Sequence, residues 1–193
     1  MSNPFGGLKN LFSGSTSHYT PDIDALIAFS KKIYSTANEC ATTMIQGDHA
    51  IADDRWLGMT LAIMHGYLIL VDRQVFSAFP AKKRSSIMDY LVAGSAAAMV
   101  DQISGQGITR PERKKAAELL IDKYNNAARS LGACKKMVPD GDEPAKGTFL
   151  WELGKGVAAE AGHSMDVAYI YKAQALFTDY LSSLDIARKI QTL

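Results

Sequence analysis

The chain is poor in cysteine: Cys40 and Cys134 are its two, in 193 residues. A disulfide-framed secreted domain carries more cysteines in a shorter chain. The pair therefore reads as two small buried hydrophobes, each inside a helix, and the expected compartment is reducing cytoplasm. Charge of one sign is lacking too. Lys and Arg number 21 against 20 Asp and Glu, a formal net charge of +1. A sequence-independent nucleic-acid binder needs a basic excess to exploit counterion release, and the whole-chain balance offers none. There is no shortage of core material. Apolar residues make up 47% and charged residues 21%, which separates the chain from a disordered one. A domain of this size buries roughly 70% of its extended surface, so it needs neither disulfide nor structural metal to be stable.

Long hydrophobic runs are missing as well. The longest mostly apolar stretch, Gly58 to Val71, falls short of the about 20 residues that a membrane-crossing helix needs. It suits a buried core helix. Lys9 is the lone basic residue near the start and no hydrophobic stretch follows it, so no Sec-type signal is expected. There is no Gly-rich phosphate loop after a strand, no cysteine pair at zinc spacing and no nucleophile elbow, which removes support from several enzyme classes. The acidic stretch Asp140, Asp142 and Glu143 fails as an EF-hand. With Asp140 at loop position one, Pro144 takes position five, Ala145 replaces the glycine of position six, and Trp151 replaces the bidentate glutamate. No window alternates apolar and polar residues with β-branched enrichment, so no sheet is expected.

What is present is helical periodicity. The expected fold is all-α, a single-domain bundle of about six helices over residues 21–193, preceded by a flexible tail at 1–20. Thr20 and Pro21 suit the start of the first helix, which Gly47 stops. The second, from about Asp53 to Phe79, is apolar on nearly every face between Trp56 and Val71, the mark of a central helix. The third runs from Ala81 to Ser104. Thr109, Pro111 and Glu112 open the fourth, whose inner face is Ala117, Leu120, Tyr124, Ala127, Leu131 and Cys134. The last two are expected at Thr148 to Ala161 and Ser164 to Thr192. In the tail, Phe5, Leu8, Leu11 and Phe12 place four large apolar groups at near-helical spacing. These are candidates for contact with a partner protein, a membrane surface or the bundle itself. The Ser-rich composition also fits an uncleaved secretion signal, which would make the protein a secreted effector rather than a cytoplasmic one.

Two stripes of small residues recur half a chain length apart: Gly58, Ala62 and Gly66, then Gly154, Ala158 and Gly162. Glycine inside a helix costs about 0.5–1 kcal/mol relative to alanine. A close approach by a neighbouring helix can offset that cost, and close helix packing is the favoured reading. The spacing also raises two loosely related three-helix halves, although identity elsewhere is poor. Among the histidines, His18 and His49 fall in polar segments. His65 lies in the most apolar helix and reads as a core histidine with a satisfied hydrogen bond, or more sharply as a haem or metal ligand. Glu160 and His163 form Glu-x-x-His, half of a carboxylate di-iron arrangement. None of the remaining glutamates (Glu39, Glu112, Glu118, Glu143, Glu152) has a histidine three positions on, so no metal or other cofactor is predicted.

Basic residues gather at Lys82, Lys83 and Arg84, at Arg110, Arg113, Lys114 and Lys115, and at Lys135 and Lys136. The first two groups sit at helix starts, where the helix dipole disfavours cations. Such breaches of local preference sometimes mark a binding site, although a solvated surface explains them as well. The expectation is a non-enzymatic helical module that binds another macromolecule or self-associates. The alternative is a bundle that binds a metal, haem or hydrophobic small molecule near His65 or near Glu160 and His163.

Overall fold

The computed structural model describes residues 22–46, 55–104, 108–141 and 144–193. The stretch expected to form a tail, with Phe5, Leu8, Leu11 and Phe12, lies outside them, as do His18, His49, Asp142 and Glu143. The described residues form an all-α bundle: α1 (Ile23–Ile45), α2 (Arg55–Ala78), α3 (Ala81–Ser104), α4 (Arg110–Gly132), α5 (Phe149–Ala161), α6 (Val167–Ser182) and α7 (Ile186–Gln191). None of the described helices is long and apolar enough to cross a membrane.

The all-round apolar character of α2 puts it at the centre. Every residue from Ile63 to Val71 is buried, and α2 packs against α1, α3, α4, α5 and α7. It reaches α6 through Tyr67, whose ring stacks on Phe177 at 4.5 Å and whose hydroxyl donates to the Phe177 carbonyl at 3.2 Å. Cys40 of α1 is fully buried beside Tyr67, and burial pushes its thiol up to about 12.

Small residues set how closely these helices approach. A Cβ on Gly66 would lie 2.9 Å from both Leu153 Cδ1 and Phe177 Cε2, and one on Gly58 would meet the Glu160 side chain, so the first stripe faces α5 and α6. Gly154 faces α6 instead: a Cβ there would stand 2.9 Å from the backbone oxygen of Ile170. Ala158 is fully buried, while Ala62 is half-buried against the core. Gly162 does a different job. It ends α5 in the left-handed conformation, φ 88°, which glycine adopts without steric cost. A further close approach went unread in the sequence. Gly94 of α3 sits against Ser30 of α1, a Cβ there lying 2.8 Å from Ser30 Cβ, and Ser95 Oγ donates to the Ser30 carbonyl at 3.3 Å.

Four expectations need correction. The cap of α1 is Asp22, whose carboxylate accepts from the Ala25 amide at 3.0 Å, so the helix starts later than Thr20 and Pro21 imply. The last expected helix is two: Asp185, at φ 45°, breaks it between α6 and α7, letting Leu184 and Ile190 both bury in the core. Cys134 lies past the end of α4, next to the C-cap Ala133, and not inside a helix. The inner face of α4 is also shallower than its periodicity implies. Leu131 is its buried residue, and Ala117, Leu120, Tyr124 and Ala127 are half-buried, because α4 lies at the edge of the bundle against α3 and α2.

Candidate functional site

The edge position of α4 creates the site. Pro80 cannot continue α2, since it lacks an amide proton and restricts the residue before it. The chain turns within Phe79 and Pro80, and α3 runs back along α2. That tight turn brings Arg84, one turn into α3, against Asp72 of α2. Arg84 Nε and Nη2 donate to the two Asp72 carboxylate oxygens at 2.8 and 2.6 Å, a bidentate fork. The guanidinium also lies 4.7 Å from the centre of the Phe76 ring. Phe76 itself is 65% exposed, unusual for a phenylalanine on the central helix.

At its start, α4 is held by the Glu112 carboxylate, which accepts from the Thr109 amide and hydroxyl at 2.8 and 2.7 Å, and by the Arg113–Asp101 ion pair at 2.5 Å to α3. Its other end is pinned to α2 by Arg73. One guanidinium nitrogen donates to the carbonyls of Leu131 and Cys134 at 3.1 and 2.6 Å, tying the turn that closes α4 to α2. The same guanidinium lies 4.8 Å over the Phe149 ring at the start of α5. Between these two anchors α4 stands off α2 and leaves a cleft of about 540 Å³. Ile69, Asp72, Arg73 and Phe76 of α2 form one wall and Arg84 of α3 an end. Tyr124, Ala128, Arg129 and Gly132 of α4, with Ala133, form the facing wall.

Electrostatics in the cleft are set by these pairings. Asp72 raises the Arg84 pKa by hydrogen bonding. Tyr124 is pushed up, mainly by burial and further by the Asp72 charge. Arg73 offsets the partial negative charge at the end of α4. Arg129, exposed on the facing wall, has no counter-charge among the described residues.

Tyr124 connects the cleft to His65. Its ring meets the imidazole edge-on at 5.8 Å between centroids. His65 is buried, 4% exposed, and its Nε2 has no hydrogen-bond partner among the described residues. This corrects the expectation of a satisfied core histidine. The neighbour that α4 presents there is an aromatic ring, which packs against the imidazole without supplying an acceptor. Desolvation, with a smaller push from the Lys123 charge, lowers the His65 pKa to about 4, so the ring is neutral at pH 7.

The remaining sequence candidates lie elsewhere. The His163 ring stacks on Tyr169 at 4.5 Å, with Nδ1 4.0 Å from Asp166, while the Glu160 side chain turns toward Gly58 on α2. No group of three or more His, Cys, Asp or Glu among the described residues is placed to hold a metal ion. Of the three basic clusters, the first contributes Arg84 to the cleft. The cleft residues Asp72, Arg73, Phe76 and Arg129 were not singled out in the sequence. The available signal was slight: Asp72 and Arg73 end the apolar run of α2, and Phe76 follows three positions later. No family model, no curated protein and no solved structure matches the chain.

Proposed function

We propose that this protein is a non-enzymatic helical module that binds a small molecule in the cleft between α2, α3 and α4. The observation that carries this reading is the cleft itself. Its volume of about 540 Å³ falls within the range of small-molecule sites, about 300–1,000 Å³, and such sites often form between bundle helices. Its polar groups suit recognition rather than proton transfer. General acid–base chemistry wants a group poised near the working pH, whereas Arg84 is held charged by Asp72 and the Tyr124 phenol is pushed further from neutrality. The site adjoins His65 through Tyr124, so this is the small-molecule reading of the sequence made specific. A thermal-shift screen with organic acids, bases and neutral compounds tests it, run on the wild type and on Ala128→Trp, which fills the cleft. At least one class should raise the melting temperature of the wild type and leave the variant unmoved. No class doing so would refute the proposal.

Self-association is the second reading, favoured by an apolar surface at the start of α6. Met165 is 89% exposed, with Val167 and Tyr171 also exposed, and Tyr171 packs edge-on against Trp151 at 5.9 Å. Val167 and Tyr171, four apart on α6, share one helix face, and exposed apolar surface of this kind occurs at protein interfaces. Sedimentation velocity at micromolar concentration should then show a dimer that Tyr171→Glu converts to monomer. A monomer in the wild type would end that reading.

A further inference from the structure

Resting on the reading of the cleft as a ligand site, we infer that its ligand is a small organic anion, one acidic group joined to a flat apolar body. The charge count within the cleft leads there. Three guanidinium groups, Arg73, Arg84 and Arg129, line it against the single carboxylate of Asp72. Arg84 and Asp72 cancel as a bidentate pair. Arg73 is engaged by the Leu131 and Cys134 carbonyls, where the end of α4 carries roughly half a negative charge. Arg129 has no such partner among the described residues, so the cleft is left with an excess of about one and a half positive charges, a whole one of them on the α4 wall. A carboxylate, sulfonate or phosphate monoester fits that excess, and a planar donor fork binds such groups in two-point geometry.

The apolar half of the ligand follows from Phe76. Its ring is 65% exposed and backed by the Arg84 guanidinium at 4.7 Å. Asp72 holds that guanidinium in place through two hydrogen bonds, so the ring has a fixed support and stays open to solvent. Ala128 and Gly132, on the facing wall, are small enough to leave a slot beside it. A flat hydrocarbon or aromatic body seated there would be held by stacking and by removal of the ring from water. A purely inorganic anion would leave that face wet.

The test uses anilinonaphthalene sulfonate, an aromatic anion that fluoresces when removed from water, and its uncharged parent, N-phenylnaphthylamine. Fluorescence titrations are run on the full chain, on Arg129→Gln and on Ala128→Trp, with circular dichroism confirming that each variant is folded. The sulfonate should saturate one site on the wild type. Arg129→Gln should weaken it about tenfold, as expected for loss of one charged hydrogen bond, and should leave the uncharged parent unchanged. If the parent binds as tightly as the sulfonate and Arg129→Gln affects neither, the cleft remains a ligand site and the anionic inference is overturned. If neither probe binds the wild type, or both bind Ala128→Trp equally well, the cleft reading itself falls.

Discussion

Acidification should unfold this protein partly through one side chain, His65. Its Nε2 is buried without a partner among the described residues, and desolvation lowers its pKa from the ordinary 6.5 to about 4. In the unfolded chain the imidazole takes a proton near pH 6.5, and in the folded protein it resists until about pH 4. The unfolded state therefore binds more protons between those values. His65 leaves stability intact above pH 6.5 and removes it as the pH falls toward 4. At 1.36 kcal/mol per pKa unit, the loss comes to about 3 kcal/mol. Carboxylates titrate in the same range, so the comparison must be with a variant that differs in this group alone. His65→Leu keeps the apolar volume and removes the titrating ring. Urea unfolding followed by circular dichroism at pH 7, 5.5 and 4 should show the variant gaining on the wild type as the pH falls. The gap should widen by about 3 kcal/mol over the series. A gap that stays constant would mean that His65 is solvated or hydrogen-bonded in the folded protein and not held neutral by burial.

Three further outcomes follow from the packing. Gly154→Ala places a methyl group 2.9 Å from the Ile170 backbone oxygen, and such overpacking should cost about 1–3 kcal/mol. On the same helix, Gly156 has open space where a Cβ would go. Gly156→Ala should therefore be neutral or stabilising by up to about 1 kcal/mol, and thermal melts compare the two directly. Arg73→Met should lower stability by about 1.5–3 kcal/mol by removing the charged hydrogen bonds to the Leu131 and Cys134 carbonyls, and hydrogen exchange should speed up over Ala127–Gly132.

The parts of the fold that were legible in the sequence rest on local or one-dimensional signals. The all-round apolar stretch of α2 announces a central helix, Thr109 with Glu112 announces the start of α4, and Pro80 announces the α2–α3 turn. The break at Asp185 was not legible, because Leu181, Leu184, Ala187 and Ile190 keep steps of three that a continuous helix would also satisfy. For α4, periodicity reports which face turns inward but not how deep the helix sits, so Leu120 and Tyr124 read as core and are half-buried. The stripes showed where helices come close, yet Gly162 serves a chain reversal that its spacing could not distinguish from packing. The cleft was the least legible feature. Its charges come from three helices, and which of them cancel depends on Arg84 meeting Asp72 across a turn and Arg73 meeting the far end of α4. Likewise, composition showed His65 in an apolar helix, but the absence of an acceptor depends on Tyr124 facing it from another helix.

Whether the cleft is where a ligand binds can be read from amide chemical-shift mapping during titration with anilinonaphthalene sulfonate. The predicted result is a set of shifts that saturates together and centres on Ile69, Phe76, Arg84, Ala128 and Gly132, around the cleft. Shifts centred instead on Met165, Val167 and Tyr171, with the cleft amides unmoved, would contradict it.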